Sequence, residues 1–438
     1  MELSARPKGP GFYCGGRFME LLSAKKSMWA EVNEHGDVVI PREIAARYGL
    51  TPGSRLRLEE DLNHVRLHRP VTQLAKIYVE PTICCNLDCR TCIRNMWNEP
   101  LGSMSEATFD RVLAGLRSVE PRPTVFFGGL GEPLLHPHIV DWITQAKALG
   151  AVVELISNGT LLTEAMARAL IASGLDNLWI SLDGARPESF ADVRLGAELP
   201  RVIDNVKRLR QLRKGGHFAK PEIDVAFVAM KRNIHELPDM LKLAKRLDAR
   251  QFKMSHVLPY TEELRDEILY AKSLRDPAYM PSPRIPRLSL PRLEFNEDTT
   301  GPLIEALRSG YTINLAGNNL GGSMDVCGFI ESGSISIGWD GTVAPCLPLL
   351  HTHAHYFRAY RHEVKQHNLG NINDCDLLDL WLDPAYVQYR ERVHSFAFAP
   401  CTFCGGCELL ESNEEDCVGN TFPSCGGCLW AQGLIQCP

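Results

Sequence analysis

Between residues 75 and 260, short apolar runs alternate with amphipathic segments. Strand-like runs fall at 77–82, 124–127, 152–156, 177–182, 222–230 and 251–257. Helical periodicity, with apolar positions three and four apart, predicts helices from the capping-box pattern Ser103-x-x-Glu106 to Arg117, then at 136–149, 164–173, 199–213 and 235–247. In the fourth of these, Val202, Val206 and Leu209 share one face. Repeated βα units predict an α/β fold with a parallel sheet and right-handed crossovers, open or barrel-like. Loops that follow strands in such a sheet collect at one end, where ligands bind.

The flanking segments differ. Residues 1–27 have no clear period and read as a tail. From 28 to 70, Trp29-Ala-Glu-Val32 alternates, His35-Gly36-Asp37 makes a turn, and a short helix from Arg42 to Tyr48 is stopped by Gly49. This block resembles the AbrB-like swapped-hairpin module at Gly36, Ile40-Pro41, Leu50 and Pro52-Gly53, which implies a homodimer. Arg42, Arg47, Arg55 and Arg57 are interspersed with Glu43, Glu59, Glu60 and Asp61, so partner docking is favoured over nucleic-acid binding. Residues 261–310 contain a proline-rich run and read as a linker, and 311–438 form a cysteine-rich end.

With 45% hydrophobic and 23% charged residues, the 438-residue chain has the composition of a globular protein of two or three domains. No apolar run reaches the roughly 18 residues needed to span a bilayer. The N-terminal residues lack the charged-then-apolar pattern of an export signal, so a cytoplasmic location is expected. A net charge of -6 offers no global attraction to nucleic acid or anionic membrane. The 15 cysteines change the picture. There are none between Cys92 and Cys327, and ten follow from there on. Clusters at the two ends of a thiol-free body suit metal centres better than a disulfide framework.

The sharpest cluster is Cys85-Asn-Leu-Asp-Cys89-Arg-Thr-Cys92, directly after the first predicted strand. A cubane iron-sulfur cluster takes four ligands. Three thiols on one loop leave one iron open, as in reactive rather than purely structural centres. The CxxxCxxC loop resembles the signature of the radical S-adenosylmethionine (SAM) superfamily. The resemblance implies a partial (β/α)6 barrel and a 4Fe-4S cluster whose open iron is chelated by SAM. It also implies reductive cleavage of SAM to a 5'-deoxyadenosyl radical. Thr91 stands where many members carry an aromatic.

Three further motifs follow predicted strands: Gly128-Gly-Leu-Gly131-Glu132-Pro133, Ser157-Asn-Gly-Thr160 and Ser181-Leu-Asp183-Gly. Each is a common turn taken alone. The family resemblance carries Gly129, Gly131 and Glu132 to the SAM amino group, and Ser157, Asn158, Ser181 and Asp183 to the ribose. Arg194 would meet the SAM carboxylate.

In the last quarter, Ser334 to Cys346 reads as a hairpin with Asp340-Gly341 at its turn. Cys327, Gly341 and Cys346 match the opening pattern of the SPASM auxiliary-cluster domain, which this region resembles. The resemblance implies one or two auxiliary 4Fe-4S clusters drawn from Cys327, Cys346, Cys401, Cys404, Cys407, Cys417, Cys425, Cys428 and Cys437. Zinc ribbons are the structural rival, since CxxC pairs suit tetrahedral zinc. Cys375, Cys84 and Cys14 are left out. His351-Thr-His-Ala-His355 would put three imidazoles on one strand face, with a surface turn as the simpler reading. The end from Cys401 has no Lys or Arg but carries Glu408, Glu411, Glu414, Glu415 and Asp416.

In detail, Cys85 to Asn95, the Trp97-x-Glu-Pro run and the closing stretch from Pro423 to Cys437 are similar to the maturases of tungsten-containing, aldehyde ferredoxin oxidoreductase-type enzymes. That resemblance implies action on the oxidoreductase or its tungstopterin cofactor, with a ferredoxin- or flavodoxin-type reductant. A peptide maturase forming thioether or carbon-carbon crosslinks and a DNA-binding iron-sulfur sensor are the alternatives.

Overall fold

The computed structural model describes residues 29–61, 64–96, 99–213, 219–271, 287–291, 293–294, 296–308, 312–315, 318–320, 326–357, 360–402, 404 and 406–437. The predicted tail with Cys14, Trp97 and most of the proline-rich run lie outside them.

Residues up to Gly53 form one compact unit and Ser54 onward a second. The first holds the hairpin β1 (Glu31–Val32) and β2 (Val38–Val39), joined through Gly36 at φ +85°, and helix α1 (Arg42–Arg47). Its apolar residues Val32, Val38 and Val39 are exposed. The predicted 28–70 block is divided, because its second half, the hairpin β3 (Leu58–Asp61) and β4 (His64–Leu67), belongs to the larger unit.

That unit is organised on one sheet. The six predicted strands are β5 (Lys76–Val79), β6 (Thr124–Phe127), β7 (Val153–Ser157), β8 (Asn177–Ser181), β9 (Glu222–Ala229) and β10 (Ala249–His256). They pair in sequence order, each parallel to the next. The crossovers carry α2 (Glu106–Ser118), α3 (Ile139–Ala148), α4 (Glu164–Ala172), α5 (Pro187–Val193), α6 (Leu199–Leu212) and α7 (Leu237–Arg246). Helix α2 starts later than predicted. Its N-cap is Ser105, whose hydroxyl accepts from the Thr108 N–H, while Ser103 is drawn to the Thr82 hydroxyl at 2.8 Å. Ile77, Val125, Leu155, Leu178 and Val225 are fully buried or nearly so, as expected of strands covered on both faces.

Beyond β10 come α8 (Glu262–Asp266), β11 (Arg287–Leu290), α9 (Glu297–Arg308), β12 (Thr312–Leu315) and β13 (Asn318–Leu320). The segment predicted as a linker therefore carries two helices and a strand. Glu297 and Asp298 favour a helix start, and Pro302 lies inside the helix, where it cannot donate the i→i−4 bond to the Asp298 carbonyl. Helix α10 (Gly328–Glu331) leads into the predicted hairpin, β14 (Ser334–Ile337) and β15 (Thr342–Ala344), with Gly341 at φ +86° in its turn. Strand β14 also pairs parallel to β5, Ser334 opposite Lys76, so the cysteine-rich end extends the same sheet.

A second hairpin, β16 (His353–Phe357) and β17 (Tyr360–Val364), precedes β18 (Gly370–Asn371), α11 (Leu377–Leu382) and α12 (Pro384–His394). These last helices are anchored to the entry of β5. The Arg390 guanidinium stacks over Trp381 and Tyr386 at 3.7 and 4.0 Å and donates to the Val71 carbonyl, and the Trp381 indole N–H donates to the Thr72 carbonyl.

Candidate active site and iron-sulfur sites

The cysteine loop follows β5, and its shape is fixed by side chains that bond its own carbonyls and by bonds to neighbouring loops. Arg94 donates to the carbonyls of Leu87 and Ile83, and the Asn95 amide donates to that of Cys89. The Asp88 and Arg90 N–H groups donate to Leu195 and Val193. Asn158 donates its amide to Asn86, and Asn86 donates to the Thr160 hydroxyl. The loop is thus tied to those after β7 and β8, and Cys85, Cys89 and Cys92 open together onto a cavity of about 350 Å³. Burial pushes the Cys89 thiol up to about 11, and it raises Cys85 as well, with Cys92 adding to both. Thiols so disfavoured as free anions suit ligation by a cation, which offsets the buried charge.

The glycine motif lies against this loop. A Cβ on Gly131 would fall 2.1 Å from the Thr82 carbonyl oxygen and 2.7 Å from that of Cys84, which accepts from the Glu132 N–H. Gly129, at φ +114°, packs on Glu80. Glycine is required at both for close approach and at Gly129 also for its backbone angle. The Glu132 carboxylate is buried and accepts from the Ser157 hydroxyl at 2.8 Å, the Asn158 N–H at 2.8 Å and the Leu134 N–H at 3.0 Å. Burial raises its pKa while these donors oppose the rise.

Ser157, Asn158, Ser181 and Arg194 also line the cavity. Asp183 lies deeper. Fully buried, it takes Arg194 Nε and Nη2 at 2.8 and 2.7 Å on one oxygen and the Val228 N–H on the other. The structure places Asp183 behind Arg194, holding the guanidinium at the cavity wall.

Sequence reasoning missed Tyr260 and Trp430 on the far side of the cavity, and gave no sign that His353 and Cys437 would join them there. Neither the Tyr260 hydroxyl nor His353 Nε2 has a partner among the described residues. His351 lines the cavity as well, bridging the buried Glu80 at 2.9 Å and Glu99 at 2.7 Å. Against its burial, these two carboxylates raise the His351 pKa to about 9. The predicted three-imidazole face is not formed. His351 turns to Glu80, and the next two histidines of the motif stay on β16. There His355 meets His362 of β17 with ring centroids 5.0 Å apart. Burial lowers His353 to about 4 and His355 well below the usual range. None of the three occupies the surface turn that was the simpler expectation.

The remaining thiols sort into two sets. Cys327, Cys346, Cys425 and Cys428 share a second cavity, where the Tyr389 hydroxyl lies 3.2 Å from Cys425 Sγ. Burial and mutual proximity push Cys327 up to about 12 and also raise Cys346 and Cys425 well above the usual thiol range. Cys401 has Cys404, Cys407 and Cys417 as neighbours and is raised to about 11 by burial first. Each set is a four-thiol donor group suited to a closed cluster. Cys437 stands apart at the wall of the main cavity, its carbonyl accepting from Lys253. Cys375 is exposed. Asp416 departs from the solvated acidic end, being buried and capped by the Ala399, Val418 and Asn420 N–H groups.

Two family models match stretches of this chain. Residues 79–244 match the radical SAM superfamily, and 327–408 match SPASM, an iron-sulfur cluster-binding domain. A Pyrococcus furiosus protein is 30% identical over 83% of this chain and 96% of its own length. The chain belongs to the radical SAM enzymes that carry a SPASM domain. The Pyrococcus relative is named a tungsten-containing aldehyde ferredoxin oxidoreductase cofactor-modifying protein. A PqqA peptide cyclase of Gluconobacter oxydans is 23% identical over 81% of this chain and 90% of its own. An AdoMet-dependent heme synthase of Methanosarcina barkeri is 28% identical over 41% and 50%. Membership in this radical SAM group brings SAM and 4Fe-4S clusters as cofactors. No described helix is long and apolar enough to cross a membrane.

Proposed function

We propose that this radical SAM enzyme acts in maturing a tungsten-containing oxidoreductase or its tungstopterin cofactor. The observation that carries the reading is the match to the Pyrococcus relative, which spans both iron-sulfur regions and 96% of that protein. When bound, the cluster and SAM together supply a carbon-centred radical able to remove hydrogen from a substrate. Cys85, Cys89 and Cys92 are the ligands in this reading. The Gly129–Gly131 backbone and Glu132 receive the SAM amino group, Ser157, Asn158 and Ser181 face the ribose, and Arg194 takes the carboxylate with Asp183 fixing its fork. A rigid guanidinium matches a carboxylate in two-point contact. Tyr260, His353 and Lys253 bring polar atoms to the substrate side. The two four-thiol sets hold auxiliary clusters, and a ferredoxin- or flavodoxin-type protein in the cytoplasm supplies electrons.

The test is anaerobic. Reconstituted protein given dithionite and SAM should release 5'-deoxyadenosine, and alanine at Cys85, Cys89 or Cys92 should abolish it while Cys375→Ala does not. Incubation with an immature tungsten oxidoreductase should then change the mass of that protein or its cofactor. Release of 5'-deoxyadenosine with no change there, but crosslinking of a short co-encoded peptide, would favour the peptide-maturase reading that the PqqA cyclase likeness supports.

A further inference from the structure

Away from both thiol cavities, two buried imidazoles converge on one carboxylate. His68 follows β4, Glu331 ends α10 four residues after Cys327, and His394 ends α12. His394 Nε2 lies 2.7 Å from Glu331 Oε1, and His68 Nδ1 lies 3.2 and 3.3 Å from its two oxygens. The two rings meet edge to face at 4.9 Å, and one donor atom from each of the three residues falls within 4.8 Å of the others. The other nitrogen of His68 is 2.9 Å from Glu59 Oε2.

We propose that His68, Glu331 and His394 bind one divalent cation of the zinc class, with water completing a tetrahedron from the partly exposed side of Glu331. Ligands at about 2.1 Å from a tetrahedral ion stand about 3.4 Å apart. The His68–Glu331 separations are already close to this, and the His394–Glu331 distance needs to open by about 0.7 Å. Imidazole and carboxylate together select zinc-like ions over calcium or magnesium, which prefer all-oxygen shells. Glu59 plays the part usual behind a ligating histidine. It accepts the Nε2–H, fixes the tautomer and leaves the Nδ1 lone pair facing inward. A cationic group nearby, Arg57, lies 3.8 Å from Glu59, and its guanidinium otherwise donates to the His394 carbonyl. An ion here would clip together three segments, two of them 263 residues apart in sequence. Its binding energy would add to folding energy.

The experiment uses the full chain with its iron-sulfur clusters reconstituted anaerobically, given one equivalent of zinc and dialysed. Zinc absorption spectroscopy should show only nitrogen and oxygen neighbours at about 2.0–2.1 Å, and zinc should raise the unfolding temperature. Glu331→Gln and the pair His68→Gln/His394→Gln should lose the metal and the temperature rise. Glu59→Gln, which leaves the three ligands in place, should weaken zinc binding ten- to a hundred-fold. Zinc found on sulfur, zinc retained equally by wild type and variants, or no zinc above the dialysis blank would overturn the site and leave a hydrogen-bonded His–Glu network.

Discussion

Replacing His351 by Gln removes a cation held between two carboxylates, and the structure sets both the size and the pH dependence of the loss. The His351 side chain is 8% exposed and that of Glu80 is 0% exposed. Glu80 also accepts the Leu130 N–H of the glycine motif. A histidine raised from 6.5 to about 9 stabilises the folded state by about 3 kcal/mol while protonated. Because the folded-state value is the higher one, this contribution is complete below pH 6.5. It is lost as pH rises from 6.5 through about 9. Wild type and His351→Gln should therefore differ most in apparent unfolding temperature near pH 6 and converge near pH 10. In wild type, one imidazole resonance that is absent from the variant should titrate near pH 9. If the temperature difference is the same at pH 6 and pH 10, or every imidazole has titrated by pH 7.5, the bridge is not the stabilising ion pair argued here.

Other expectations follow from single contacts. Gly131→Ala forces a methyl against two backbone oxygens of the cysteine loop. It should cost about 1–3 kcal/mol of stability and lower iron content at the first cluster, read by iron and sulfide assay. Asp183→Asn leaves Arg194 buried beside a neutral partner. It should weaken SAM binding and destabilise the chain by about 3–5 kcal/mol, measurable by calorimetry and thermal unfolding. Cys437→Ser should keep the wild-type iron count, whereas Cys425→Ser should lose about four irons, since only the second belongs to a four-thiol set.

Several features are settled by local pattern. Five of the six parallel strands are spelled out by short apolar runs because strands covered on both faces need no polar side, whereas the edge strand β10 is only partly buried. The reactive loop is legible because metal ligation demands particular residue types at fixed spacing, as in Cys85, Cys89 and Cys92. The glycines at 129 and 131 stand out for the same reason, each filling a place where a side chain collides. Other features depend on residues far apart in the chain. The run from 261 to 310 was read by its prolines, yet it holds a helix at Glu297–Arg308 with Pro302 inside it, at the loss of one i→i−4 hydrogen bond. The split of nine thiols into four, four and one is decided by how β14 pairs with β5, carries β15 beside it, and brings Cys327 and Cys346 to Cys425 and Cys428. His351 finds Glu80 by the same docking. Spacing along a chain cannot encode such pairings, because burial and charge act through space, and only the packed fold sets which distant groups meet.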